Sequence, residues 1–227
     1  MNEIDNKKLL LSAIIKFAAG IGMLGLILFL CAGDIRYWNA WILLGTFAAC
    51  IASFGACLYL KDKELLRKRL NSKETEKGQD VYTVAAGVTF FGMFGISGLD
   101  YRFGWSYVPA AAVATALAVM LAGYALFAVT LMQNSFASRI VEIQAEQKVI
   151  DTGVYSVVRH PMYTAALTVF FAFPVVLGSY YALIPMVLFL AGIILRIGNE
   201  EKVLCDGLPG YSAYMRKVKY RLIPFIW

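Results

Sequence analysis

The chain has 227 residues, of which 60% are hydrophobic and only 16% charged, with a formal net charge of +6. So apolar a composition excludes an ordinary water-soluble domain. The basic excess does not call for nucleic acid, because it follows from where the lysines and arginines sit between apolar runs.

Four long runs come first. Residues 9–31 are interrupted only by Lys16, and 38–60, 81–99 and 105–136 carry no charge. Each is long enough to cross a hydrocarbon core of about 30 Å. Two shorter runs, 163–177 and 180–195, are separated by Gly178-Ser179 and predict a tight helical hairpin. The first arm, at about 1.5 Å per residue, is slightly short for a span. The expectation is an all-α polytopic membrane bundle of about six segments, with no Rossmann fold.

Lys7 and Lys8 precede the first run, and the second loop carries Lys61, Lys63, Arg67, Lys68, Arg69, Lys73 and Lys77. The fourth loop has Arg139, Lys148 and Arg159, and the tail has Lys202, Arg216, Lys217, Lys219 and Arg221. The alternate loops hold only Arg36 and Arg102. Cytoplasmic loops concentrate Lys and Arg, so both termini are expected in the cytoplasm. The membrane would be the inner or plasma membrane in a prokaryote and the endoplasmic reticulum in a eukaryote. The first run is too long for a signal-peptide core and is read as an anchor. The 61–77 stretch interleaves Asp62, Glu64, Glu74 and Glu76 with its bases, the pattern of a solvated helix or lipid-facing loop.

Two features resemble sites and are read otherwise. Gly20-Ile21-Gly22-Met23-Leu24-Gly25 fits the dinucleotide pattern GxGxxG, which needs a preceding strand and a βαβ unit that a membrane run lacks. Close helix packing is expected there and at Gly92, Gly95 and Gly98. Cys31, Cys50, Cys57 and Cys205 have no metal spacing, and the single histidine completes no zinc site, so neither a metal nor a disulfide is assigned.

The chain divides near 133–151, into a four-segment membrane region (1–136) and a more specific region (137–227) of linker, hairpin (162–199) and tail. Residues 138–149 alternate charged and apolar side chains and are expected to extend the fourth segment or lie on the membrane surface. Pro161 fits the first turn of a helix, where its missing N–H costs nothing. Arg196 and Glu200, four apart, stack on one helix face, and Glu201 points about 100° further round. At the other foot of the hairpin stand Arg159, His160 and Tyr163, and Tyr211 and Tyr214 follow the second arm. Each has a bland reading alone: a snorkelling arginine, a capping histidine, interfacial tyrosines. Because hairpin feet converge, all should meet at one membrane level, where charge marks a site.

The ordered series Gly153-x-Tyr155-x-x-x-Arg159-His160-Pro161-x-Tyr163, Arg196-Ile197-x-x-Glu200-Glu201, Gly210-Tyr211-x-x-Tyr214 and Arg221-x-Ile223-Pro224 resembles the isoprenylcysteine carboxyl methyltransferase family. The resemblance runs from about residue 143 to the C-terminus. It departs from the family in Gln147, where a histidine is common, and in Ala165, where a glycine is common. It implies an S-adenosyl-L-methionine-dependent integral membrane methyltransferase, with the cofactor in a cytoplasm-facing pocket closed by linker and tail. It implies cofactor contacts from Val149, Gly153, Tyr155, Arg159, His160, Pro161, Tyr163, Glu201, Tyr211 and Tyr214, and a methyl-transfer role for Arg196 and Glu200. A lipophilic acceptor would enter from the bilayer among membrane lipids. A prenylcysteine carboxylate is the leading candidate, with a phospholipid amine or a small thiol open.

Two other readings compete. Sterol-type reductases using NADPH share an R-H-P-x-Y hairpin, but two carboxylates suit a cationic cofactor better than a polyanion. A scaffold or transporter should carry charge near mid-bilayer in both halves of the chain.

Overall fold

The computed structural model describes residues 3–70, 79–134, 136 and 147–227. Most of the 138–149 stretch and residues 71–77 of the 61–77 loop lie outside these residues, and residues 147–149 are not helical. Helices are the only regular elements among the described residues: α1 (Glu3–Ala32), α2 (Trp38–Lys61), α3 (Lys63–Leu70), α4 (Gln79–Phe103), α5 (Ala110–Gln133), a 3-10 turn (Gly153–Ser156), α6 (Pro161–Val176), α7 (Leu183–Gly207) and α8 (Tyr211–Lys217).

Five are long and apolar enough to cross a membrane: the Asn6–Ala32 part of α1, α2, the Val84–Phe103 part of α4, α5 and α7. Their outward faces present Leu11, Ile15, Leu26, Val88 and Leu188 to the surroundings, as lipid requires. The chain is an integral membrane protein. The sixth expected segment, α6, has 16 residues and so measures about 24 Å. It nevertheless runs between the two polar ends of the bundle. Near its start Thr164 donates to the tail carbonyl of Leu222 at 2.7 Å, and past its finish the Leu177 carbonyl accepts from Tyr37 at the opposite end.

The hairpin is less symmetric than the expected 163–177 and 180–195 arms. Gly178 takes a left-handed φ of 80°, and Ser179 Oγ accepts from the Ala182 amide, so the second arm starts only at Leu183. Its one proline, Pro185, sits in the first turn where it is tolerated, and the helix continues to Gly207, ending before the Pro209-Gly210 turn. Arg196 and Glu200 therefore sit inside α7 with nearly two turns beyond them, which carry the tail away from the bundle.

α6 packs chiefly on α5, and α4 on α1 and α7. Their shared core is aromatic: Phe94 and Phe173 are fully buried and meet Phe90 and Phe170 edge-on or tilted. Glycine permits two close approaches. A Cβ at Gly98 would fall 2.7 Å from the Leu28 carbonyl of α1, and one at Gly123 would fall 2.8 Å from Val169 of α6. The packing expected at the GxGxxG stretch is found only at Gly25, where a Cβ would meet Leu44 of α2 at 3.4 Å; one at Gly20, Gly22 or Gly92 meets nothing within 4 Å. These glycines face open grooves because the neighbouring helices approach α1 and α4 on other faces.

The end of the bundle away from the tail is held by a buried carboxylate. Asp100 accepts from the Ser106 amide and hydroxyl, both at 2.7 Å, and from the Ser179 hydroxyl. This ties the α4–α5 loop to the hairpin turn. Asn39 Nδ2 donates to the Val176 carbonyl at 2.7 Å and so satisfies a group freed where α6 ends.

Candidate active site

The site forms where the tail returns to the start of α6. The Arg159 amide donates to the Tyr220 carbonyl and the His160 amide to the Arg221 carbonyl, both at 2.9 Å. These two main-chain bonds lay the tail against the Arg-His-Pro foot before any side chain contributes. Pro161 then opens α6 in its first turn, where no amide is needed. The amides of Arg221, Leu222 and Ile223 converge on the Trp227 carbonyl, and the Arg221 guanidinium lies 5.0 Å from the Trp227 ring centroid.

Glu201 is the electrostatic centre of this join. It is 3% exposed, so its charge needs partners. Its Oε1 accepts from Arg159 Nε at 2.7 Å and lies 3.2 Å from His160 Nε2; its Oε2 accepts from Arg221 Nε at 2.9 Å. Arg159 completes its bonding by donating from Nη1 to the Val218 and Lys219 carbonyls at 2.8 Å. The charges of the first foot, of α7 and of the tail are thus spent mostly on one another.

Glu200, one residue earlier, does something different. It accepts from the Tyr163 hydroxyl at 2.7 Å, and that hydroxyl in turn accepts from Arg196 Nε at 3.0 Å. The phenol of α6 bridges the two charged groups on one face of α7, with Glu200 at the cavity and Arg196 behind Tyr163. The cavity is walled by the linker (Val149, Ile150), the first foot (Tyr155, Arg159, His160, Pro161, Met162, Tyr163), α7 (Glu200, Leu204) and the tail (Leu208, Tyr211, Tyr214).

Aromatic rings set its character. The Tyr214 hydroxyl donates to the Tyr155 carbonyl at 2.7 Å, and Asn134 Nδ2 donates to the Tyr155 hydroxyl at 3.0 Å, which closes linker, α5 and tail around one space. Burial pushes the phenols of Tyr155, Tyr211 and Tyr214 above the ordinary range, and the Glu201 charge adds to the effect at Tyr211. All three are neutral rings near neutral pH. Tyr211 Oη is buried without a hydrogen-bond partner. A buried, unsatisfied hydroxyl in a cavity wall needs explaining, and a polar ligand bound there would supply the missing partner.

Of the residues expected to hold a cofactor, Val149, Tyr155, Arg159, His160, Pro161, Tyr163, Tyr211 and Tyr214 line this cavity, as does Glu200. Glu201, Arg196 and Gly153 do not. Glu201 turns into the ion-paired join, and Gly153 starts the 3-10 turn at a left-handed φ of 58°, where a Cβ would collide with the Gln133 carboxamide. That carboxamide accepts from the Val154 amide at 3.0 Å, which fixes the turn to the end of α5. Sequence reasoning missed Asn134, Met162, Leu204 and Leu208 in the wall. It also gave no role to Arg221, although the basic residue in the final motif was the available signal.

Residues 113–206 match the isoprenylcysteine carboxyl methyltransferase (ICMT) family. This region contains the Arg159–Tyr163 foot and the Arg196–Glu201 face, and stops short of Tyr211, Tyr214 and Arg221. Among solved structures, the fold resembles the eukaryotic intramembrane Ras methyltransferase ICMT (TM-score 0.57, 19% identity), over 94% of this chain and 77% of that one. The fold, including the four helices before the matched region, is therefore ICMT-like. No curated protein matches the sequence.

Proposed function

We propose that this chain is an integral membrane methyltransferase that uses S-adenosylmethionine to methylate a lipophilic acceptor, with both termini and the site in the cytoplasm. The reading rests chiefly on one arrangement: a carboxylate, Glu200, in an aromatic-walled cavity, joined through Tyr163 to Arg196. The match to a methyltransferase family over the same residues supports it.

The residues present fit the cofactor. It is a cation with polar adenosine and amino-acid ends, and the cavity offers one carboxylate, neutral tyrosine faces that attract cations, and the orphan Tyr211 hydroxyl. Val149, Tyr155, His160, Tyr163, Tyr211 and Tyr214 would hold it. Arg159 would act from behind, since its guanidinium is committed to Glu201. When bound, the cofactor supplies an electrophilic methyl group on a sulfonium.

The protein's task is to orient and to manage charge in a space shielded from water. Glu200, held by the Tyr163 hydroxyl, balances positive charge at the cavity. Arg196, held by the same hydroxyl, offers a guanidinium for an anionic acceptor. A carboxylate acceptor needs no general base, so no side chain has to remove a proton.

The test is incubation of the purified protein in lipid with labelled S-adenosylmethionine and membrane extract. Label transferred and released by base as a volatile product indicates a methyl ester; stable label indicates N- or S-methylation. Stabilisation by NADPH and not by S-adenosylhomocysteine in a thermal assay would reject the proposal.

A further inference from the structure

The turn that follows Arg221 carries side chains that the protein leaves uncovered. Ile223, Phe225 and Ile226 are 49%, 87% and 76% exposed. The turn is closed from inside: the Ile223 carbonyl accepts from the amides of Ile226 and Trp227, and the Trp227 carbonyl accepts from those of Arg221, Leu222 and Ile223. At its tip Phe225 takes a φ of 66°, the one residue other than glycine in the left-handed region among the described residues. Glycine adopts that conformation without cost, and a bulky residue there is an outlier that its surroundings must hold. Within the chain the Phe225 ring approaches the Tyr220 ring, with centroids 5.3 Å apart, and this contact leaves most of it bare.

The level of the turn decides what meets it. Thr164, in the first turn of α6, donates from Oγ1 to the Leu222 carbonyl at 2.7 Å. The turn therefore lies beside the start of an apolar helix of the bundle. Leu222 is buried at 3% exposure, so the chain is pinned inward there while Ile223, Phe225 and Ile226 are left outward. The stretch just before it exposes the bases Arg216 and Lys219. Apolar side chains beside exposed bases, at the edge of a bundle whose sides face lipid, suit the boundary between headgroups and acyl chains.

We infer that residues 223–226 are seated in the bilayer interface, and that the membrane itself helps to hold the tail over the active-site cavity. The tail carries Tyr211 and Tyr214 of the cavity wall and Arg221 of the ion-paired join. Lifting it away breaks that join and also returns to water the apolar side chains that lipid covers. Seating in the membrane and closure of the cavity are therefore coupled. The coupling goes beyond the methyltransferase reading, because it holds for whatever ligand the cavity takes.

The experiment uses the full chain in nanodiscs of phosphatidylcholine and phosphatidylglycerol. Phe225→Trp places an indole at the tip, read as the fluorescence difference from the wild type with its four tryptophans. Lipids brominated near the top of the acyl chain should quench this signal more strongly than acrylamide in the water does. Phe225→Gly suits the left-handed φ, so the turn folds, and it removes the ring. Trypsin should then cut the tail after Lys217 or Lys219 about tenfold faster than in the wild type, as the open population rises. A role confined to the fold predicts the reverse, because glycine relieves the strain. Phe225→Leu, which keeps an apolar side chain, should stay close to the wild type. Cleavage of Phe225→Gly no faster than the wild type, or an indole quenched by acrylamide and untouched by brominated lipid, would overturn the inference. Quenching by neither, with a dimer in light scattering, would assign the patch to a second copy of the chain and overturn it as well. A protein that binds no S-adenosylhomocysteine would instead overturn the methyltransferase reading, and the quenching and cleavage results would stand.

Discussion

Arg159 and Glu201 meet at 2.7 Å with both side chains almost wholly buried, 42 positions apart in the chain. The contact joins the first foot of the hairpin to α7, and Arg221 adds the tail from the other carboxylate oxygen. Breaking a buried pair by removing one partner costs about 3–5 kcal/mol, because the other charge stays buried. Glu201→Ala should therefore release the tail, seen as new proteolytic cleavage after Gly207 and a lower melting temperature. Arg159→Met with Glu201→Leu should lose less than the sum of the single changes.

The bridging phenol gives a different signature. Tyr163→Phe keeps the ring and removes only the hydroxyl that holds Arg196 and Glu200 in register. Methyl transfer should fall by about a hundredfold, the scale of a misplacement of about 1 Å. Affinity for S-adenosylhomocysteine, measured by calorimetry, should change little. A parallel loss of affinity would mean that the Tyr163 hydroxyl, and not only its ring, holds the cofactor.

At the opposite end, Asp100→Ala strands the hydroxyls of Ser106 and Ser179. About 1–3 kcal/mol per buried unsatisfied group is expected, read as a lower melting temperature in detergent. Cofactor affinity should be retained, since the site lies across the bundle.

Alkaline pH should loosen the tail. The phenols of Tyr211 and Tyr214 are pushed up by burial. Their unfolded counterparts titrate near about pH 10. A group whose folded pKa lies above its unfolded value gives stability that is complete below the unfolded pKa and is lost as pH rises through the folded one. The tail should stay docked up to about pH 10 and detach above it, measured as phenolate absorbance rising together with loss of cofactor binding. The exposed Asp151–Lys217 pair holds the Asp151 carboxyl below its usual range. Its contribution would fade at acid pH, far from this transition.

Glycine substitutions should separate the two roles this residue plays here. Gly98→Ala pushes a methyl group against the backbone of α1, and overpacking of this kind costs about 1–3 kcal/mol. Gly20→Ala, which meets open space, should be neutral or slightly stabilising by helix propensity. Melting temperatures of the two variants decide it; equal destabilisation would contradict the packing described here.

The bundle was legible in sequence because a bilayer imposes length: four long apolar runs became α1, α2, α4 and α5 with ends shifted by a few residues. The site was legible wherever charge or aromatic side chains bordered apolar sequence, as at Tyr155, Arg159, Tyr163, Glu200 and Tyr211. Spacing did not reveal the division of labour between Glu200 and Glu201. Neighbours on a helix point about 100° apart, and which one meets the cavity depends on where the tail docks. Asp100 escaped notice because it lies just past an apolar run, and its partners Ser106 and Ser179 come from two separate loops. Asn134 and Leu204 carry no chemical signal until the fold brings them to the wall.

The two main-chain bonds from Arg159 and His160 to the carbonyls of Tyr220 and Arg221 have an implication for how this protein tolerates change. Carbonyls are common to all residues, so these bonds ask nothing of the side chains at positions 219 and 220. The number of residues between Tyr214 and Arg221 is not free. It works as a ruler: one inserted or deleted residue would keep the bonds only by moving Arg221 off Glu201 or Tyr214 off Tyr155. By these bonds the stretch is constrained in its length more than in its letters.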